Sequence, residues 1–246
     1  MAKTYFQIGC RARALILASM LSIIPAAACA APDVMGQRIT MAVSWLNDAL
    51  GSAPGASSPG ITIQLLPMDE LGYKRYVAKA HMEELAPLIG KPALSAFYQA
   101  GGRVDGKAQD VCFLLYNPKG ASQLTEFFVG PFEAAHGEAL APYLFLAAHE
   151  LGHCIEFQRA AKSGLPVRKS LQMEISADSF AILVMRKAGV PSEQIEPIIA
   201  SRQSAAASHR TWPWAVKTLS MPLPAGGSGW IEDAWRSAAR LGSEAR

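Results

Sequence analysis

Ile39, Ala42, Val43, Leu46 and Leu50 are spaced by three and four residues, the repeat of one face of an α-helix, and predict an amphipathic helix ending near Gly51. Residues 51–60, rich in Gly, Ser, Ala and Pro, read as a linker or exposed loop. The period then changes. Ile61, Ile63 and Leu65 alternate with Thr62 and Gln64, which predicts a strand. Residues 69–100 return to helical spacing in two pieces, divided around Gly90 and Pro92 and closed by Gly101 and Gly102. Two further strands are predicted over 109–116 and 125–129, joined by the turn sequence Asn117-Pro118-Lys119-Gly120.

The second half of the chain is patterned almost wholly for helices. Residues 143–157 form an apolar run broken by His149, Glu150 and His153, and residues 172–185 form another strongly helical segment that carries Glu174 and Asp178. Gly189 and Pro191 stop that second helix. Ser192 can cap a further helix reaching about residue 207, with Pro197 kinking it if it lies beyond the first turn. After a Gly-rich loop, Ile231, Trp235 and Leu241 mark a short amphipathic helix in the tail. The class expected is α+β, mostly helical, with a small mixed sheet packed on the 143–157 helix.

Residues 1–14 carry Lys3, Arg11 and Arg13 and no acid, and residues 15–28 are an apolar run ending in small side chains. That pattern reads as a secretory signal peptide over 1–30, cleaved after Ala28-Cys29-Ala30. A competing reading makes Cys29 a lipid-bearing N-terminus, although Ala26 stands where a larger aliphatic is usual. The run is short for a membrane span, so no stable span is expected after processing. The formal charge of +3 comes from those three basic residues, so the exported chain is near neutral and nucleic acid is an unfavourable partner. The expected organisation is a signal peptide at 1–30, an N-terminal helix and linker at 31–60, and one domain at 61–246, in the periplasm or outside the cell.

The candidate chemistry lies in His149-Glu150-x-x-His153. On a helix, positions i and i+4 point the same way, so both imidazoles can close on one metal ion while Glu150, one step around, reaches a water on that ion without ligating it. No charge appears between Tyr143 and His149 or between Glu150 and His153, and burying these polar groups unpaired would cost about 1–3 kcal/mol each. The alternative is a helix whose His and Glu lie at the surface. A catalytic site needs a third protein ligand. Glu174 can supply it, and Asp178, one turn on, can accept a hydrogen bond from a ligand histidine and fix its tautomer. The bland reading of the two acids is an exposed stripe near a helix start.

His149-Glu150-x-x-His153 followed by Glu174-x-x-x-Asp178 resembles the thermolysin-type gluzincin arrangement of zinc metallopeptidases, over about residues 143–186. Glu156 and Arg159 stand where a metzincin would carry Gly and His, so the pattern departs from that subclass. The resemblance implies a zincin-like fold, one Zn2+ per chain held by His149, His153 and Glu174, Glu150 as general base, Asp178 behind a ligand, and a peptide or protein substrate. It also implies an edge strand that pairs with extended substrate, for which 109–116 and 125–129 are the candidates beside an ordinary core hairpin.

An oxyanion formed on the carbonyl needs a donor, and no Tyr follows Tyr143, so His209 is the first candidate and Arg210 the second. His81, among charged neighbours, and His136, with no partner at ligand spacing, read as structural or exposed. Cys112, on a predicted strand, and Cys154, directly after His153, are the two cysteines outside the signal region. They are either a disulfide tying sheet to helix or two buried thiols. The competing function is a non-catalytic zinc-binding envelope scaffold, against which the presence of Glu150 argues.

Overall fold

The five apolar positions from Ile39 to Leu50 form the buried face of helix α1 (Val34–Gly51), as their spacing requires. The computed structural model describes residues 33–51, 60–67, 94–104, 107–117, 129, 132–133, 140–164, 170–203, 210–225, 227 and 229–245. The proposed signal peptide and Cys29 lie outside them, as do most of the 51–60 linker and the helical reading of 69–93. Residues 33–246 cluster as one compact unit.

The described strands are β1 (Ile61–Pro67), β2 (Leu94–Val104) and β3 (Lys107–Tyr116), in the order β1-β3-β2. β1 runs parallel to β3 and β2 antiparallel to it, so the sheet is mixed. β3 is central and is buried on both faces from Val111 to Tyr116, which explains its nearly continuous apolar run. β2 is a correction to the helix predicted over 94–100. Leu94, Ala96 and Tyr98 alternate toward the core and Phe97 stands opposite Phe113, so pairing with a non-local strand decides what local spacing left ambiguous. The strand breaks register between Gln99 and Gly102, where Gly101 takes a left-handed φ of 61° and its N–H donates to Asp110 at 3.1 Å.

On β1, the Asn47 side chain of α1 replaces a neighbouring strand: its amide donates to Ile63 O and its oxygen accepts from Ile63 N–H, both at 2.9 Å. That contact docks α1 and covers the outer edge of β1 at one residue pair. Val129, the described residue of the strand predicted over 125–129, is buried in a helical turn.

Five further helices are described: α2 (Ala141–Ser163), α3 (Leu171–Lys187), α4 (Ser192–Ser201), α5 (Trp212–Leu219) and α6 (Trp230–Glu244). Pro142 starts α2, and Gly164 ends it with a left-handed φ of 68° and its N–H on the last carbonyls. Ser170 caps α3 by accepting from Met173 N–H. α3 is buried without interruption from 173 to 185 because α2, α5 and α6 all pack on it. α4 contains Pro197 and ends at Ser201, earlier than predicted, where Arg202 and Gln203 turn back onto Ile199 and Ala200. Among the described residues no helix is long and apolar enough to cross a membrane. The protein is α+β, mostly helical, with a small three-stranded mixed sheet among the described residues.

Cys112 and Cys154 are joined by a disulfide with their Cα atoms 5.7 Å apart, fastening the central strand to α2. Gln158, one turn further along α2, donates to Asp110 of the same strand at 2.6 Å. Because the bridge closes a 42-residue separation, Cys154→Ala is expected to lower unfolding free energy by about 2–4 kcal/mol. The check is the urea midpoint without reductant, and an unchanged midpoint would mean that the bridge adds no stability.

Candidate metal centre

α2 and α3 cross where their side chains are smallest. A Cβ built on Gly152 would sit 3.1 Å from the Cα of Ala177, so the two backbones are in contact at that point. His149 and His153 flank Gly152 on α2, and Glu174 and Asp178 flank Ala177 on α3. The crossing thus sets two nitrogens and a carboxylate face to face.

His149 Nε2 lies 3.0 Å from His153 Nε2 and 3.4 Å from Glu174 Oε2, and His153 Nε2 lies 3.7 Å from that same oxygen. All three residues are buried, with exposures of 6%, 9% and 9%. A tetrahedral ion with ligand bonds of about 2.0–2.2 Å holds its donors about 3.3–3.6 Å apart, so the triangle has the right size. Among the described residues this group could hold a metal ion. Among the described residues His153 Nδ1 is buried without a hydrogen-bond partner, and its ring stands edge-on to that of His149 with centres 4.6 Å apart.

Asp178, only 1% exposed, accepts from His149 Nδ1 at 2.7 Å. With that proton on Nδ1, the lone pair of Nε2 points into the triangle. Two further donors hold the carboxylate: Arg202 Nη2 at 2.8 Å and the Thr211 hydroxyl. The Arg202 guanidinium also lies 5.1 Å from the centre of the Phe145 ring. Burial pushes the Asp178 carboxyl up, but the Arg202 charge, then His149 and Thr211, outweigh it and bring it down to about 2. Burial likewise raises Glu174, and the His149 and His153 rings beside it outweigh that and hold it well below the usual carboxylate range. His149 is pushed down by burial and up, more strongly, by Asp178 and Glu174, reaching about 9 without metal. A metal ion would therefore displace a proton from this ring.

Glu150 is half-buried next to His149, and its charge is one of those acting on that ring. Other candidates from the sequence fall elsewhere. His209, His81 and His136 lie outside the described residues, and Arg210 is exposed. The 109–116 strand is corrected as a substrate-pairing edge, because β3 has β1 on one side and β2 on the other and no edge to offer. Sequence reasoning missed Arg202 and Thr211. The signal available was a demand only: a buried Asp on α3 needs cationic and hydroxyl donors, but nothing in the spacing says which downstream residues supply them.

No family model, curated protein or solved structure matches the chain.

Asp178→Asn keeps the side-chain shape but removes the charge that orients His149, and is expected to weaken metal binding about 10- to 100-fold, measured by competition with a chelating dye. Gly152→Ala would gain about 1 kcal/mol of helix propensity, but its methyl meets the Ala177 backbone in a buried crossing. Overpacking of about 1–3 kcal/mol is expected to win. The variant should melt lower than wild type and bind metal more weakly; equal melting and equal affinity would show that the crossing has slack.

Proposed function

We propose that the chain is an exported zinc-dependent metallopeptidase with a zincin-like fold and one Zn2+ held by His149, His153 and Glu174. The observation that carries this reading is the donor triangle of two Nε2 atoms and one Oε2 atom, all within 4.8 Å of one another, with a carboxylate behind one imidazole and Glu150 beside it. Two imidazoles and a carboxylate suit zinc in a catalytic site, where a fourth position stays open for water or substrate.

When bound, zinc supplies a Lewis acid that polarises a carbonyl and brings the pKa of water toward neutrality. The residues of this chain do the rest. The Glu150 carboxylate accepts the proton from the attacking water and delivers it to the leaving amine nitrogen. Asp178 keeps the His149 proton on Nδ1, and Arg202 and Thr211 keep Asp178 ionised and in place. β2 takes the part first assigned to 109–116. It packs against α2, and its outer edge is unpaired among the described residues, so it can add an extended peptide by backbone hydrogen bonds. The Cys112–Cys154 disulfide supports an oxidising compartment, in keeping with a leader at 1–30.

Hydrolysis of an unstructured protein by the zinc-loaded chain tests the reading. Glu150→Gln is expected to reduce the rate by about 10²- to 10⁴-fold while zinc content stays at one per chain. Equal rates for wild type and variant would remove the peptidase reading and leave the scaffold reading in its place. His153→Ala is expected to abolish stoichiometric zinc, measured by elemental analysis independently of turnover.

A further inference from the structure

His149, His153 and Glu156 stand at positions i, i+4 and i+7 of α2, so their side chains leave the helix along one stripe. Glu156 therefore extends the line of metal-donor side chains by one turn. It is half-buried, and among the described residues no hydrogen bond or ion pair engages it. Two arginines of this part of the fold have carboxylate partners of their own. Arg159, the next turn of the same helix, is bound to Glu232 and stacked 4.2 Å from the Trp235 ring centre. Arg202 is bound to Asp178. Burial pushes the Glu156 carboxyl up, the charge of His153 pulls it down and that of Glu174 raises it again, so both ligands lie within electrostatic reach of it. A half-buried carboxylate close to a second one is an unfavourable arrangement until a positive charge arrives.

We propose that Glu156 is a specificity-determining residue of this site and receives a cationic nitrogen of the substrate, ammonium or guanidinium, in the subsite adjoining the metal centre. The claim deepens the metallopeptidase reading and rests on it for its consequence in turnover, though not for its consequence in binding. One chemistry has two sources here: the side chain of a Lys or Arg near the cleaved bond, or the free amino terminus of a short peptide.

A peptide series separates them. Lys or its neutral isostere norleucine is placed in turn at each position around the cleaved bond, and every peptide is made with a free and with an acetylated amino terminus. For the zinc-loaded full-length chain, kcat/KM is expected to favour the cationic members by about 10- to 100-fold. The preference should reside mainly in KM, and Glu156→Gln should bring the ratio close to one while Glu156→Asp retains part of it. A preference that survives acetylation assigns the side chain, and one that disappears on acetylation assigns the terminus. The same ratio in wild type and Glu156→Gln overturns the proposal while leaving the peptidase reading intact. If wild type turns over none of the peptides, the peptidase reading fails, and equilibrium binding of the all-D series to the zinc-loaded chain decides the role of Glu156 separately. Tighter binding of cationic peptides by wild type but not by Glu156→Gln sustains it, and equal binding overturns it. Circular dichroism of each variant confirms that the fold is shared.

Discussion

The constraint on which the rest depends is the backbone contact between α2 and α3 at Gly152 and Ala177. Helices whose side chains interdigitate keep their axes about 8–10 Å apart, and a glycine facing an alanine permits the lower end of that range. Imidazole and carboxylate side chains are short. Only at close approach do the Nε2 atoms of two residues on one helix and the Oε2 atom of a residue on the other come within 3.0–3.7 Å. The same contact buries these polar groups, which makes their mutual satisfaction obligatory. Geometry and electrostatics of the centre thus have one cause.

A close crossing concentrates charge, and the surrounding structure is arranged to tolerate it. Asp178 is stable as an anion at 1% exposure because an imidazole, a guanidinium and a hydroxyl all donate to it. Arg202, from the end of α4, and Thr211, just before α5, reach α3 from separate parts of the chain, so Asp178 fixes the C-terminal helices to the centre as well as orienting His149. On the opposite side, α2 is held to β3 by the Cys112–Cys154 bridge and by Gln158 on Asp110. α2 is clamped between a covalent tie to the sheet and a polar tie to the helical layer. A site that must keep three donors within a fraction of an ångström benefits from that rigidity.

What was legible in the sequence follows from which interactions are local. α1, α2, α3 and α6 each carry a helical repeat within their own residues, and β1 and β3 carry strand patterns, so these elements could be read without knowing their neighbours. β2 could not. Its residues 94–100 are equivocal in isolation, and they are extended because the adjacent strand supplies hydrogen bonds in the register Leu94 to Tyr116 through Gln99 to Val111. The site divides in the same way. His149, His153, Glu174 and Asp178 were legible because i, i+4 spacing is a local rule. Arg202 and Thr211 lie 24 and 33 residues beyond Asp178 in sequence, and their approach is set by how α4 and α5 fold over α3, which no spacing encodes. Strand order decides in the same way which strand is an edge among the described residues. A central and an edge strand differ in what pairs with them, while their own sequences can be alike.

Charge balance links the centre to what it would bind. Among the described residues four carboxylates belong to this region: Glu174 in the donor triangle, Asp178 behind it, and Glu150 and Glu156 on α2. Arg202 neutralises one of them. A divalent ion between His149, His153 and Glu174 would offset two more, leaving a single negative charge. Glu150 is adjacent to His149, whereas Glu156 is a turn beyond His153, half-buried and without a hydrogen bond or ion pair among the described residues. On the proposed reading, the unmatched charge would fall at the outer end of the stripe that begins at His149. A uniformly neutral peptide would leave that carboxylate half-buried beside Glu174, while one bearing an ammonium or guanidinium would complete the balance, so the electrostatics that favour a metal at the triangle also favour a cation beside it.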